Sequence, residues 1–187
     1  MKKLLLFIVV LLQFSLHAQT IEPAPADKAV VYFVRASGLG VLVNFTYFDS
    51  TKVIGRFNGP KFMRYECEPG KHLFWARSEN KDFVRADLEA GKIYVIDVIP
   101  VMGMIKAGLR LKPINSEKYR MKKIQKLLTR KKSEVFSEKD LESLQKKMEQ
   151  VIIRGLDKAR KMSGKLKTLG ERTFLPEELL FVKKKRK

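Results

Sequence analysis

Ile93-Tyr94-Val95-Ile96-Asp97-Val98-Ile99 is an apolar run broken once, with Gly91-Lys92 standing before it as a turn. Its β-branched and aromatic content and its shortness read as a strand covered on both faces. Past Met102-Gly103, the residues Ile105, Ala107, Leu109 and Leu111 alternate with Lys106, Gly108, Arg110 and Lys112. That period of two belongs to a strand with one dry and one wet face. Two strands joined by a short glycine turn make a hairpin, and the same pattern repeats toward the N-terminus. Ala29 to Val34 is a second continuous apolar run; Val41, Val43, Phe45 and Tyr47 alternate. Turn chemistry recurs at Asp49-Ser50-Thr51-Lys52, Asn58-Gly59-Pro60, Glu68-Pro69-Gly70-Lys71, Glu79-Asn80-Lys81-Asp82 and Glu89-Ala90-Gly91-Lys92. In the third of these, Pro then Gly at the central positions suits a type II turn, because glycine accepts the positive φ. Residues 27–114 are therefore expected to form an antiparallel β-sandwich of about eight strands.

After Pro113 the period changes. Ser116 to Lys131 places Ile124, Leu127 and Leu128 on one helical stripe. Ser137 opens a second helix: its hydroxyl can accept the amide of Asp140, and Phe136 can pack on Leu141 as a staple. Leu141, Leu144, Met148, Val151, Ile152, Gly155, Ala159 and Met162 then follow a 3–4 spacing. The short linker Lys132 to Phe136 predicts an antiparallel αα-hairpin. Pro176 before Glu177 and Glu178 marks a short third helix. The expected fold class is mainly β with an α appendage, residues 115–187 forming a basic helical C-terminal region.

The N-terminus reads Met1-Lys2-Lys3, an apolar run from Leu4 to Leu12, and a stretch ending in Ala18-Gln19. Positive, apolar and small-residue segments in that order predict a secretory signal peptide over residues 1–18. The run is shorter than the roughly 20 residues a spanning helix needs. No cysteine lies near the cut, so the mature protein is expected to be soluble. The chain of 187 residues carries +19, with 14 basic against 9 acidic residues from Asp27 to Ile114 and 23 against 10 from Asn115 to Lys187. The positive field thus belongs to the C-terminal half and favours anionic partners. In an exported protein these are an anionic membrane surface, an envelope glycolipid or an acidic protein rather than nucleic acid.

Reactive side chains are few. Cys67 is the single cysteine and alternates with Met63 and Tyr65, as a small buried hydrophobe would. His72 is the one histidine beyond the leader and follows a turn. Neither residue has a companion for a zinc site or a hydrolytic triad. Gly38 and Gly40 lack the Gly-Lys-Ser of a phosphate loop. No catalytic residue, metal or cofactor is expected. Asp97 takes the outward phase of its strand. Arg35 closes the first strand, as an edge residue reaching solvent or as a fixed cation for an anionic ligand. With it, Lys183, Lys184, Lys185, Arg186 and Lys187 are the candidate contacts to an anionic ligand or surface.

Four pieces in order, Tyr32-Phe33-Val34-Arg35, Ile54-Gly55-Arg56-Phe57-Asn58-Gly59, Glu68-Pro69-Gly70-Lys71-His72 and Leu88 to Val95, resemble a family of exported bacterial β domains, the domain of unknown function 2846 family. The resemblance covers about residues 27–114. It implies a small envelope-associated sandwich and supplies no catalytic residues. The chain departs from the lipoproteins common in that family by lacking a lipidation cysteine, and the helical C-terminal region lies outside the resemblance. The end of the leader resembles those of Bacteroidetes exported proteins, which implies a periplasmic location. The expected function is a non-enzymatic envelope binding or scaffolding module. A hydrolase acting on envelope polymers, and a homodimer formed through the Leu141-to-Met162 stripe, are the alternatives.

Overall fold

The computed structural model describes residues 20–102 and 107–182. The strands are β1 (Ala29–Arg35), β2 (Phe45–Asp49), β3 (Lys52–Phe57), β4 (Lys61–Cys67), β5 (Gly70–Arg77), β6 (Lys81–Leu88), β7 (Ile93–Met102), β8 (Ala107–Pro113) and β9 (Lys167–Leu169). The helices are α1 (Lys122–Arg130) and α2 (Glu138–Lys161). Two sheets form, ordered β4-β1-β7-β8 and β3-β2-β5-β6-β9. The pairings are antiparallel except β1 with β7 and β6 with β9. The fold is β-rich with a helical addition, as the patterning predicts.

Between the sheets lies a core of Ala29, Val31 and Phe33 from one side and Tyr47, Phe74 and Ala76 from the other. Unlike an ordinary sandwich, both outer faces are dry too. The four-stranded sheet buries Val30, Tyr32, Val34 and Val95 under Ile124 and Leu128 of α1, with Ile21, Phe174 and Leu179 beside them. The five-stranded sheet buries Phe48, Val53, Trp75 and Phe83 under Val151, Ile152 and Ala159 of α2. The layers are therefore helix, sheet, sheet, helix. This is why β1 and β7 lack alternation: a strand covered on both faces has no wet phase.

Three expectations are corrected. The sandwich is not antiparallel throughout, since β1 and β7 pair in parallel at its centre. The helices do not form an αα-hairpin, because their apolar stripes go to opposite sides of the sandwich. Residues 131–137 run over the edge of the sandwich between them, where Ser133 Oγ accepts the Arg64 amide and the Glu134 amide donates to Phe62 O. Phe136 is spent on that edge, packed so closely on Gly55 that a β-carbon there would stand 2.6 Å from its ring. The strand expected from Val41 starts only at Phe45.

The region read as an appendage is thus a belt. It crosses one sheet as α1, rounds the β4 edge, crosses the other sheet as α2, and adds β9 at the β6 edge. It then returns to the first sheet, where Phe174 bridges Ile93. The belt meets itself there, through Gln125 Nε2 donating to Glu178 O and the Phe181 amide donating to Thr129 Oγ1. The free edge of β8 is covered by side chains from the β5–β6 turn. Asn80 donates to Leu109 O and accepts the Leu109 amide, Asp82 accepts the Leu111 amide, and Ser78 donates to Ala107 O. An edge closed in this way offers no template to another strand.

Candidate functional site

A cleft of about 720 Å³ lies on the outer face of the five-stranded sheet beside the C-terminal end of α2. Its position follows from the pleat. Along β5, Phe74 and Ala76 point into the core, so Lys71 and Leu73 point toward α2. Along β6, Val84 and Ala86 point inward, so Arg85 and Asp87 point outward. Ser163, just past the helix end, fixes the Arg85 guanidinium through a 2.5 Å hydrogen bond. Leu156, Ala159 and Leu166 add apolar wall; Arg160 and Thr168 complete the rim. Four cations, Lys71, His72, Arg85 and Arg160, stand against one carboxylate, Asp87, around an apolar floor. The volume lies within the roughly 300–1,000 Å³ of ligand pockets. Such a lining can hold an apolar chain below and an anionic head at the rim. None of these residues reads in the sequence as a ligand contact: Lys71 stands there as a turn residue, Ala159 as part of a helical stripe, and Arg85 and Asp87 are ordinary outward strand residues until α2 lies across them.

His72 lies at the edge of the inner core, its ring stacked on Phe74. Nδ1 is 2.8 Å from Asp49 Oδ2, and Nε2 is 2.8 Å from Glu68 O. Both partners can only accept, so both nitrogens donate and the ring is imidazolium. Its pKa is pushed up to about 10, by the hydrogen bond to Asp49 first and a contact with Cys67 second. Tyr65 also donates to Asp49. A ring whose two nitrogens are both committed has no lone pair to act as a base. Cys67 is a buried free thiol among core residues, in line with its alternation. No group of three or more metal-ligating side chains is gathered among the described residues.

Arg35 does not reach solvent; it is fully buried. Position 35 shares the inward phase of Ala29, Val31 and Phe33, which the continuous apolar run conceals. Its guanidinium donates to the carbonyls of Val43, Leu39 and Gly40 and lies 4.0 Å over the Phe45 ring. It therefore clamps the loop between β1 and β2. Arg35 Nε and the Tyr47 hydroxyl, both buried, have no hydrogen-bond partner among the described residues. The other candidate cations, Lys183 to Lys187, lie outside the described residues.

Asp97 is outward on β7, but that face is covered, and Tyr119 donates to it at 2.5 Å. Burial pushes its carboxyl above the usual range. A smaller cavity of about 320 Å³ beside it is lined by Tyr119, Arg120 and Lys123. No helix among the described residues is long and apolar enough to cross a membrane.

Comparison with protein-family models, with curated proteins and with solved structures found no match, so the likeness to the domain of unknown function 2846 family rests on the sequence motifs alone.

Proposed function

We propose that the protein is an exported, non-enzymatic component of the bacterial cell envelope, a binding module whose cleft takes an amphiphilic anion such as a fatty acid or a phosphorylated lipid. Membership of the family named above is part of this proposal, as is contact between the basic C-terminal end and anionic surfaces. The observation that carries it is the cleft lining, apolar below and cationic at the rim. Guanidinium and ammonium groups attract an anionic head, while burial of an alkyl chain stabilises the complex by about 0.8 kcal/mol per methylene. Export draws support from the order of positive, apolar and small residues over positions 1–18. The rival hydrolase would need a cleft with perturbed carboxylates; one such group, Asp97, lines the smaller cavity and is engaged by Tyr119, and His72 offers no lone pair. A homodimer through the Leu141-to-Met162 stripe has lost its surface, since that stripe packs on the chain's own sheet.

Protein taken from its native periplasm should have the mass of a chain starting at Gln19. Calorimetry of that protein should detect binding of dodecyl phosphate but not of inorganic phosphate. The Lys71→Glu/Arg160→Glu variant should bind it at least tenfold more weakly with an unchanged melting temperature. Equal binding by this variant would refute the cleft as the site, and a mass retaining Met1 would refute export.

A further inference from the structure

Leu39, Val41, Leu42 and Met102 are 44%, 48%, 83% and 67% exposed. They gather at one end of the sandwich. A β-carbon on Gly40 would lie 3.3 Å from that of Ala107, and Ala107 is the register partner of Met102. Scattered apolar residues on a surface need no explanation, but a loop that turns several outward does.

The loop is built to do so. Arg35, buried beneath it, takes up the carbonyls of Leu39, Gly40 and Val43. The Val43 amide donates to Gly40 O and the Leu39 amide to Ser37 Oγ. Polar backbone faces inward onto a cation while apolar side chains face out, the reverse of an ordinary surface turn. Backbone groups can enter hydrocarbon only if they are satisfied internally. The same end carries the cations Arg77 and Lys81, with Glu79 in the turn between them and Asp82, next to Lys81, paired with Lys167. Arg77 and Lys81 are register partners flanking the turn whose Ser78 donates to Ala107 O. Burial, with repulsion from Arg77, Lys158 and Arg154, holds the Lys81 ammonium below its ordinary value, which places Arg154 and Lys158 of α2 in the same field.

We propose that this end of the sandwich docks on anionic bilayers, seating Leu39, Val41, Leu42 and Met102 among the acyl chains while Arg77, Lys81, Arg154 and Lys158 meet the headgroups. Each cation near such a surface adds attraction that salt screens. The contact is separate from the cleft and from the basic C-terminal end. It takes its setting from the envelope reading, and the test uses purified protein, so either can fail alone.

The chain from Gln19 to Lys187, which holds every described residue, is sedimented with vesicles of phosphatidylcholine containing phosphatidylglycerol, and with phosphatidylcholine alone. Binding is expected to the anionic vesicles and to fall with salt. The Val41→Asp/Leu42→Asp variant should bind at least tenfold more weakly at an unchanged melting temperature, and Arg154→Glu/Lys158→Glu should lose the preference for anionic lipid. Leu175→Asp, another exposed apolar site, should bind like the parent. Tryptophan emission from Leu42→Trp should shift to the blue with vesicles. Parental binding by the Val41/Leu42 variant, or an unshifted Leu42→Trp emission, overturns the proposal. So does loss of binding only on removal of Lys183 to Lys187, or a lipid-free dimer dissolved by Leu42→Asp.

Discussion

Two residues that alternation and context leave ambiguous take different roles once partners are counted. Arg35 looks like a cation offered to solvent, yet its inward phase turns it into a clamp for three carbonyls. His72 looks like an idle turn residue, yet it is a structural cation held between Asp49 and Glu68. Its pKa rises from 6.5 unfolded to about 10 folded, so the folded state holds its proton more tightly. The stabilisation is complete below about pH 6.5 and is lost as pH climbs toward about 10. Urea midpoints of the parent and of His72→Gln should therefore differ most at about pH 5.5–6.5, narrow through neutral pH and converge near pH 10. A constant gap across that range would mean that the imidazolium contributes nothing through its charge. Cys67 needs no such account, since its alternation with Met63 already describes a buried thiol.

At the level of elements, α2 is the part whose start the sequence describes best and whose destination it describes least. Ser137 caps it, accepting the Asp140 amide at 3.1 Å. The helix ends at Lys161, near the Gly164 stop. What its stripe covers is another matter. Gly155 sits over Trp75, which stacks on Phe48 at 3.7 Å and donates to Ser50 O. A β-carbon on Gly155 would approach the indole to 2.7 Å. Alanine gains about 0.5–1 kcal/mol of helix propensity over glycine. Overpacking a filled core costs about 1–3 kcal/mol, and this indole is pinned by a stack and a hydrogen bond, so it has no room to yield. Gly155→Ala should therefore lose about 1 kcal/mol net by urea unfolding. A more stable variant would show that the helix can lift off its sheet at little cost. In α1 the balance differs: its N-cap residue Met121 supplies no side-chain cap, and the helix is shorter than its apolar spacing suggested.

Across the whole molecule, the belt changes what counts as a unit. The strands of residues 27–114 have their own inner core, which suggests an autonomous domain. Both outer faces, however, are apolar and are buried chiefly by residues beyond Ile114, with Ile21 beside them on one. Trp75, Phe48 and Phe83 would be stripped on one side, and Tyr32, Val34 and Val95 on the other. A chain ending at Ile114 should bind a hydrophobic dye and lose cooperative thermal unfolding, whereas the chain from Gln19 should unfold in one transition. A cooperative, dye-free product would restore the boundary that composition suggests.

The sequence by itself determined the β-rich character of residues 27–114, most of the turns and the cap of α2, because these depend on local period and backbone chemistry, whereas it missed β9 and began β2 too early. The Pro69-Gly70 turn is an example: Gly70 takes φ +109°, and no neighbour crowds it, so the backbone alone demands glycine there. The sequence also carried the sparse chemistry of His72 and Cys67 and the concentration of charge. Only the tertiary structure decided which way each apolar face was covered. Hydrophobic burial has no direction, so a stripe such as Leu141 to Met162 suits a second helix, a second copy or a sheet equally well. The same reason hides the cleft and the exposed apolar end. Lys71, Arg85 and Arg160 are distant in the chain and become one rim only when α2 crosses the sheet, and Leu39 and Met102 become neighbours only when β1 and β7 run parallel.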